Sequence, residues 1–338
     1  MADQVTIKDI ARLLNISPST VSRALKSSHE INKETQRLVK ETAERLHYRP
    51  NMAALSLVKA KTKTIGVIVP NLGYYVFSTA LQGIEDAASK RGYTVIACQS
   101  MEQYEREIKN TQDMMRSSVD GIILSLAQHT KDYQHILELQ QSGMPVVLFD
   151  RIADELKTSK VIVDNMAGSF GAVEHLIKMG CRRIAYIGGP SELSISSRRK
   201  EGYRLALVKY HIPIDEQLVV YCEFNHEKSV KAITQLLKLK NPPDGIFTCS
   251  DRQAIAAMVA AQAKKLRIPE DIAIVGFNDE PVVSIMSPAL SSVRQPAFEM
   301  GQMAAGLLID QIEQGKSFTP QTKLYTTKLV KRASSKRK

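Results

Sequence analysis

From Thr64 onward the chain alternates short apolar runs with amphipathic stretches, and this alternation admits few folds. The runs at 65–69, 94–97, 121–126, 146–149, 160–163, 183–187, 218–221, 244–248 and 272–276 read as strands buried on both faces. Between them, 78–91, 105–117, 131–143, 167–179, 198–210, 227–239 and 253–266 place apolar residues at helical spacing. A strand that re-enters a sheet in parallel needs a crossover of about a dozen residues, which a helix supplies. The pattern therefore predicts an α/β fold, with parallel sheets covered by helices on both faces. The region is longer than a domain of about 100–200 residues. Its rhythm breaks between Asp150 and Lys160, so two similar lobes with a cleft between them are expected. Ligands of open parallel sheets sit beyond the carboxyl ends of the strands. That singles out the loops after residues 69, 97, 126, 149, 187, 221, 248 and 276, of which three carry polar clusters: Asp150-Arg151, Ser250-Asp251 and Asn278-Asp279.

Residues 6–48 follow a different rule. Thr6 and Asp9 form a capping-box-like start, and Ile7, Ile10, Ala11 and Leu14 fall on one helical face. Asn15-Ile16 interrupts the run, Ser17 is placed to cap a second helix, and Pro18 takes its first position, where a missing N–H costs nothing. Val21, Ala24 and Leu25 make the inner face of that helix, and Asn32 caps a third that buries Val39, Ala43 and Leu46. The second helix turns Ser17, Ser19, Thr20, Ser22 and Arg23 outward. Short hydroxyls let a helix sit deep in the major groove, and Arg reaches a guanine edge with two hydrogen bonds. The shape is that of a small all-α helix-turn-helix domain, although a plain three-helix module has the same periodicity. Residues 49–63 read as a linker with helical potential, too short to hold a helix unaided.

The charge is uneven in a way that fits a polyanionic partner. Net charge is +11; residues 1–60 hold 10 Lys and Arg against 6 Asp and Glu, residues 328–338 hold 6 and no acid, and the stretch between is nearly neutral. The basic run at the end lacks apolar periodicity and reads as a solvated, disordered tail. The four cysteines have no ligand spacing and read as free thiols of a reducing cytoplasm. No apolar run approaches the ~18 residues that would span a bilayer, and the first residues lack the apolar core of a signal peptide, so no membrane association is expected.

Three sets of residues carry a family resemblance. Val5-Thr6-Ile7-Lys8-Asp9-Ile10-Ala11, Ser17-Pro18-Ser19-Thr20-Val21-Ser22-Arg23-Ala24-Leu25 and Tyr48-Arg49-Pro50-Asn51 stand in order at the start. Ile65-Gly66-Val67-Ile68-Val69-Pro70, Val163-Asp164-Asn165, the stretch from Gly180 to Gly188, and Val275-Gly276-Phe277-Asn278-Asp279 continue through the body. Together they resemble the lactose-repressor (LacI/GalR) family of bacterial transcription regulators over essentially the whole chain. The resemblance implies a helix-turn-helix domain at 1–49, a hinge helix and linker at 50–63 and a two-lobed, periplasmic-binding-protein-like core at 64–330, with the basic tail at 331–338. It implies a homodimer on palindromic operator DNA, most simply a repressor, with a sugar or related metabolite as effector in the cleft. Pro18, Ser19 and Arg23 match base-reading positions, while Ser17, Thr20, Ser22, Asn32 and Thr35 fall in or beside phosphate-contacting ones. Leu57 matches a leucine that wedges into the minor groove. Phe77, Asp150, Arg199, Phe224, Ser250, Asp251 and Asn278 match, or lie beside, effector-contacting positions; each polar one also fits a loop-holding role. Lys26 and Ser250 stand where Asn is common, Leu55 where Arg is frequent, and Tyr74-Tyr75-Val76-Phe77 replaces a frequent Asn-Pro-Phe-Phe, so no relative's ligand carries over.

Catalytic chemistry finds little footing. Gly188-Gly189 lacks the spacing of a dinucleotide loop, no Gly-Lys-Ser/Thr phosphate loop or Gly-x-Ser-x-Gly elbow occurs, and the seven histidines form no close pairs. The expectation is a non-enzymatic regulator without cofactor or metal. The rivals are a cytosolic sugar-binding protein and a sugar-metabolising enzyme carrying a nucleic-acid module. No heptad pattern follows Leu329, so no coiled coil beyond a dimer is expected.

Overall fold

The computed structural model describes residues 5–25, 28–48, 62–130 and 132–337, and the chain divides into two units, Met1–Thr62 and Lys63–Lys338. In the first, α1 (Ile7–Leu14), α2 (Pro18–Leu25) and α3 (Lys33–Arg45) close around Ile10, Ala11, Val21, Ala24, Val39 and Ala43. Local chemistry sets each boundary. The Thr6 N–H donates to Asp9 Oδ2 at 2.9 Å at the start of α1, and Asn15 ends it in the left-handed conformation that Asn tolerates. Thr20 N–H donates to the Ser17 hydroxyl at 3.1 Å, and Thr35 N–H to Asn32 Oδ1 at 2.7 Å. Leu57 and the expected hinge helix, like Lys26 and Leu55, lie outside the described residues.

The second unit holds two six-stranded sheets. The amino-terminal lobe contains β1 (Thr64–Val69), β2 (Thr94–Gln99), β3 (Gly121–Leu124), β4 (Val146–Phe149), β5 (Ser159–Val163) and β11 (Thr322–Tyr325), all parallel in the order β11-β5-β4-β3-β1-β2. Its helices are α4 (Tyr75–Lys90), α5 (Tyr104–Arg116), α6 (Gln134–Gln141) and α11 (Ala297–Gln314). Strand alternation sorts neighbours to opposite faces. Val67, Val147 and Val161 pack under α4 and α11 with Phe77, Ile84 and Leu308, while Ile68, Leu148 and Ile162 pack under α5 and α6 with Met114, Ile136 and Leu139. Two glycines let α4 and α11 cross closely: a Cβ on Gly83 would lie 2.0 Å from the Phe298 carbonyl oxygen, and one on Gly301 2.0 Å from that of Ala80.

The carboxy-terminal lobe contains β6 (Ile184–Gly188), β7 (Val219–Tyr221), β8 (Gly245–Thr248), β9 (Ala273–Asn278), β10 (Ser291–Arg294) and β12 (Lys328–Val330), in the order β12-β10-β9-β8-β6-β7, with β12 antiparallel to β10. Helices α7 (Asn165–Lys178) and α8 (Ser194–Lys209) cover one face through Leu176, Tyr203 and Leu207. Helices α9 (His226–Leu236) and α10 (Asp251–Ala263) cover the other through Ile233, Leu236, Ala257 and Ala261. The chain passes between lobes at Val163 to Asn165, again at Arg294 to Ala297, and again at Tyr325 to Lys328. The alternation read from sequence matches these elements, with boundaries shifted by at most four residues, as far as β9; it did not resolve the return of α11 and β11 to the first lobe.

One expectation is corrected. Residues 331–337 are not a solvated tail. Ser334 and Ser335 are fully buried; the Ser334 hydroxyl donates to the Ile274 carbonyl at 2.6 Å, and the Ser335 hydroxyl to Ser291 Oγ at 2.6 Å. Arg337 donates to the carbonyls of Pro269 at 2.8 Å and Asp244 at 2.6 Å. The segment has no apolar periodicity because it is held by hydroxyl and guanidinium hydrogen bonds rather than by apolar burial.

Candidate functional site

Two places gather the expected residues. Ser17, just before α2, and Pro18, Ser19 and Arg23 on it are exposed, with Thr20 and Ser22 half-buried beside them; Asn32 caps α3 and Thr35 lies in its first turn. The Ser17 hydroxyl lies 2.7 Å from that of Ser19 and 2.8 Å from that of Thr20, so the cap and the outer hydroxyls form one cluster. Arg23 pairs with Glu30 at 3.1 Å. Gln36, which sequence reasoning passed over, fixes the intervening loop by donating to the carbonyls of Ser28 at 2.9 Å and Ile31 at 2.8 Å.

The second place is the cleft between the lobes. Its walls come from loops at the carboxyl ends of β1, β4, β7, β8, β9 and β10, together with α8. Phe77, Asp150, Arg199, Phe224, Ser250 and Asn278 all line it. Asp150 sits in the left-handed region at φ 58° and is 5% exposed. Its backbone N–H joins the Val161 carbonyl at 3.0 Å, whereas its carboxylate accepts no hydrogen bond from the described residues. Burial pushes this carboxyl up, against the pull of Arg199 and Arg151. Arg199 is fixed by Asn165 Oδ1 at 2.7 Å and the Cys249 carbonyl at 2.5 Å, with its guanidinium 3.6 Å from the Phe277 ring centroid. Asn278, at φ 118°, accepts at Oδ1 from Gln295 Nε2 at 2.7 Å. Ser250 caps α10, accepting from Gln253 N–H at 3.4 Å.

Asp251 does not belong to this wall. It is fully buried, accepting from the Ser292 hydroxyl at 2.5 Å and the Glu280 N–H at 2.7 Å. Burial pushes its carboxyl up to about 7. A Cβ on Gly276 would fall 2.2 Å from its Oδ1, so a larger residue there would displace the Asp251 carboxylate. Asp251 is a support for the cleft loop, a role that sequence adjacency to Ser250 does not distinguish from ligand contact.

The cleft also holds Arg151, Gln295, Glu280, Arg252 and Tyr74, which the site reading did not select. Arg151 makes a bidentate pair with Glu102 at 2.7 and 3.0 Å, between the rings of Phe77 and Phe224 at 5.4 and 4.9 Å. Its Nε and the Gln295 Oε1 are buried without a partner among the described residues. The only hint of Arg151 in the sequence was its place beside Asp150. Arg252 reaches across to the Gly73 carbonyl and the Tyr74 ring, and Arg198 joins Asp154 at 2.7 Å, bridging the lobes.

A helix-turn-helix unit followed by a ligand cleft has counterparts among known proteins. The family model described as "Bacterial regulatory proteins, lacI family" matches residues 6–51, and that of a periplasmic binding protein-like domain matches 173–335. The ribose operon repressor of Halalkalibacterium halodurans is 34% identical, with 98% of this chain and 97% of that protein aligned. The chain belongs to the LacI family. A transcriptional regulator CelR solved with cellobiose is 30% identical, with a TM-score of 0.75, 98% of this chain and all of that one covered. The lac repressor dimer bound to operator and the anti-inducer ONPF shares the fold, with a TM-score of 0.88 at 24% identity, over 98% of this chain and 99% of that one. As a LacI-family protein the chain is a ligand-responsive, DNA-binding transcriptional repressor rather than an enzyme. Among the described residues no helix is long and apolar enough to cross a membrane.

Proposed function

We propose that the chain acts in the cytoplasm as a homodimer whose paired α2 helices read a palindromic operator, and that a sugar or sugar derivative between the lobes sets its DNA affinity. The convergence of Asp150, Arg199, Asn278, Phe77 and Phe224 on one cleft carries this reading. A sugar hydroxyl both donates and accepts. The cleft offers an acceptor in the Asp150 carboxylate, donors in the guanidinium groups of Arg151 and Arg199, and aromatic faces for the apolar side of a ring. Because both lobes contribute, the ligand favours one lobe arrangement over another, the differential affinity that an allosteric effector requires.

At the DNA, Arg23 is assigned to a guanine edge, with Pro18 and Ser19 beside it. The hydroxyls of Ser17, Thr20, Ser22 and Thr35 and the Asn32 amide are assigned to phosphates or their immediate surroundings. Leu57 is assigned to the minor-groove step between half-sites. The domain limits at 49, 63 and 330 belong to the same proposal. The test is selection of bound duplexes from a random pool by the full-length protein at fixed salt, with and without a panel of mono- and disaccharides. An enriched palindrome whose retention changes with one sugar is expected. Enrichment that no sugar alters removes the sugar reading, and no enrichment removes operator recognition.

A further inference from the structure

The cleft loop after β9 contains two successive residues in the left-handed region, Asn278 at φ 118° and Asp279 at φ 56°. Such a turn persists only where its surroundings hold it. Here three groups converge on Asp279. Its N–H donates to the Ser292 hydroxyl at 3.0 Å. Its Oδ2 accepts from Arg294 Nε at 2.7 Å and its Oδ1 from Arg332 at 2.6 Å. The Asp279 side chain is 2% exposed; that of Arg294 is 56% exposed and that of Arg332 16%, so Arg332 is the interior partner. Arg332 is itself held: its guanidinium donates to the Leu290 carbonyl at 2.7 Å, and its backbone N–H to Ser291 Oγ at 2.7 Å. Just beyond it, the buried hydroxyls of Ser334 and Ser335 lock the strap onto β9 and β10.

We infer that Arg332, in the basic carboxy-terminal segment, is a positioning residue for effector binding; this rests on the reading of the cleft as the effector site. It faces no part of the cleft. Through Asp279 it keeps the turn left-handed, and the turn sets the Asn278 amide on the cleft wall against Gln295. Removing the guanidinium leaves a buried carboxylate oxygen short of a donor, and the turn relaxes toward ordinary backbone, carrying Asn278 with it. The strap also ties the turn to chain that crosses between lobes. Gln295 follows β10 at one crossing, and Arg332 lies just beyond β12, which follows another.

The test compares full-length wild type with Arg332→Met, Arg332→Lys and, as a control on the same strap, Arg337→Met. Amide hydrogen exchange is resolved along the chain. The expected result is at least tenfold faster exchange confined to 277–281 in Arg332→Met, a smaller change in Arg332→Lys, which keeps the charge, and none there in Arg337→Met. Unchanged exchange in Arg332→Met, or acceleration spread through the whole carboxy-terminal lobe, overturns the inference. In a second arm, D-ribose and cellobiose are titrated separately by calorimetry. If either binds wild type, its affinity falls tenfold or more in Arg332→Met with partial recovery in Arg332→Lys; equal affinities overturn the inference. If neither binds wild type, that result counts against these sugars as effectors, and exchange alone decides on Arg332.

Discussion

Two Arg–Glu pairs in this molecule use the same chemistry in opposite surroundings. Arg151 and Glu102 meet at 2.7 Å with side chains 4% and 10% exposed; Arg23 and Glu30 meet at 3.1 Å with side chains 59% and 54% exposed. The first pair is out of water, so each charge depends on the other and neither moves without a large penalty. It fixes a guanidinium between two rings in the cleft. The second pair is screened by water and salt and holds Arg23 weakly. Such a pair leaves the cation free to exchange Glu30 for another acceptor. Burial decides whether an ion pair acts as a fixed part of a site or as an interchangeable one.

Breaking the buried pair is the strongest test of that contrast. Glu102→Ala strands Arg151 and is expected to lower the stability of the core by about 3–5 kcal/mol, read from its urea unfolding transition. A loss under 1 kcal/mol would mean that water reaches the pair. Next in size, Arg23→Ala is expected to weaken a selected operator duplex by about 1–3 kcal/mol, and a random duplex of equal length far less. Equal losses on both duplexes would reduce Arg23 to a phosphate contact.

His175 sharpens the comparison, being a buried titratable group among cations. Its Nε2 lies 2.8 Å from the Ser335 hydroxyl. Burial, with Lys331, Lys336 and Lys178 nearby, pushes its pKa down from 6.5 to about 4. The folded protein therefore keeps the ring neutral where the unfolded chain protonates it. That contribution is present above pH 6.5 and is lost as pH falls toward 4. The expected consequence is that the stability of wild type relative to His175→Gln falls by about 2 kcal/mol from pH 7 to pH 4.5; a gap independent of pH would show that the ring titrates in the fold as it does in the unfolded chain. The smallest effect belongs to the exposed pair. Glu30→Gln is expected to change the stability of the amino-terminal unit by less than about 1 kcal/mol and to tighten operator binding by less than about fivefold. A larger stability loss would place Glu30 with the buried class.

Legibility in the sequence follows the same division. The cap at Ser17 and Pro18, the cap at Asn32 and the outward face of α2 were readable because each depends on residues within a few positions of one another. Strand–helix alternation was readable as far as β9 because periodicity is local. The cleft was readable in part: six of seven expected residues line it. Asp251 was misplaced because whether a carboxylate faces ligand or Ser292 depends on a strand 41 residues further along.

By itself, the sequence determined the elements, the caps, the two-lobed class and the loops that carry the cleft, all consequences of local spacing. The tertiary structure alone decided that α11 returns to pack on α4 through Gly83 and Gly301, that Arg151 finds Glu102 49 residues away, and that the basic end of the chain becomes a strap on Asp279. Those outcomes depend on which distant carboxylates, carbonyls and glycines the fold brings within 3 Å, and the chain carries no local signal for them.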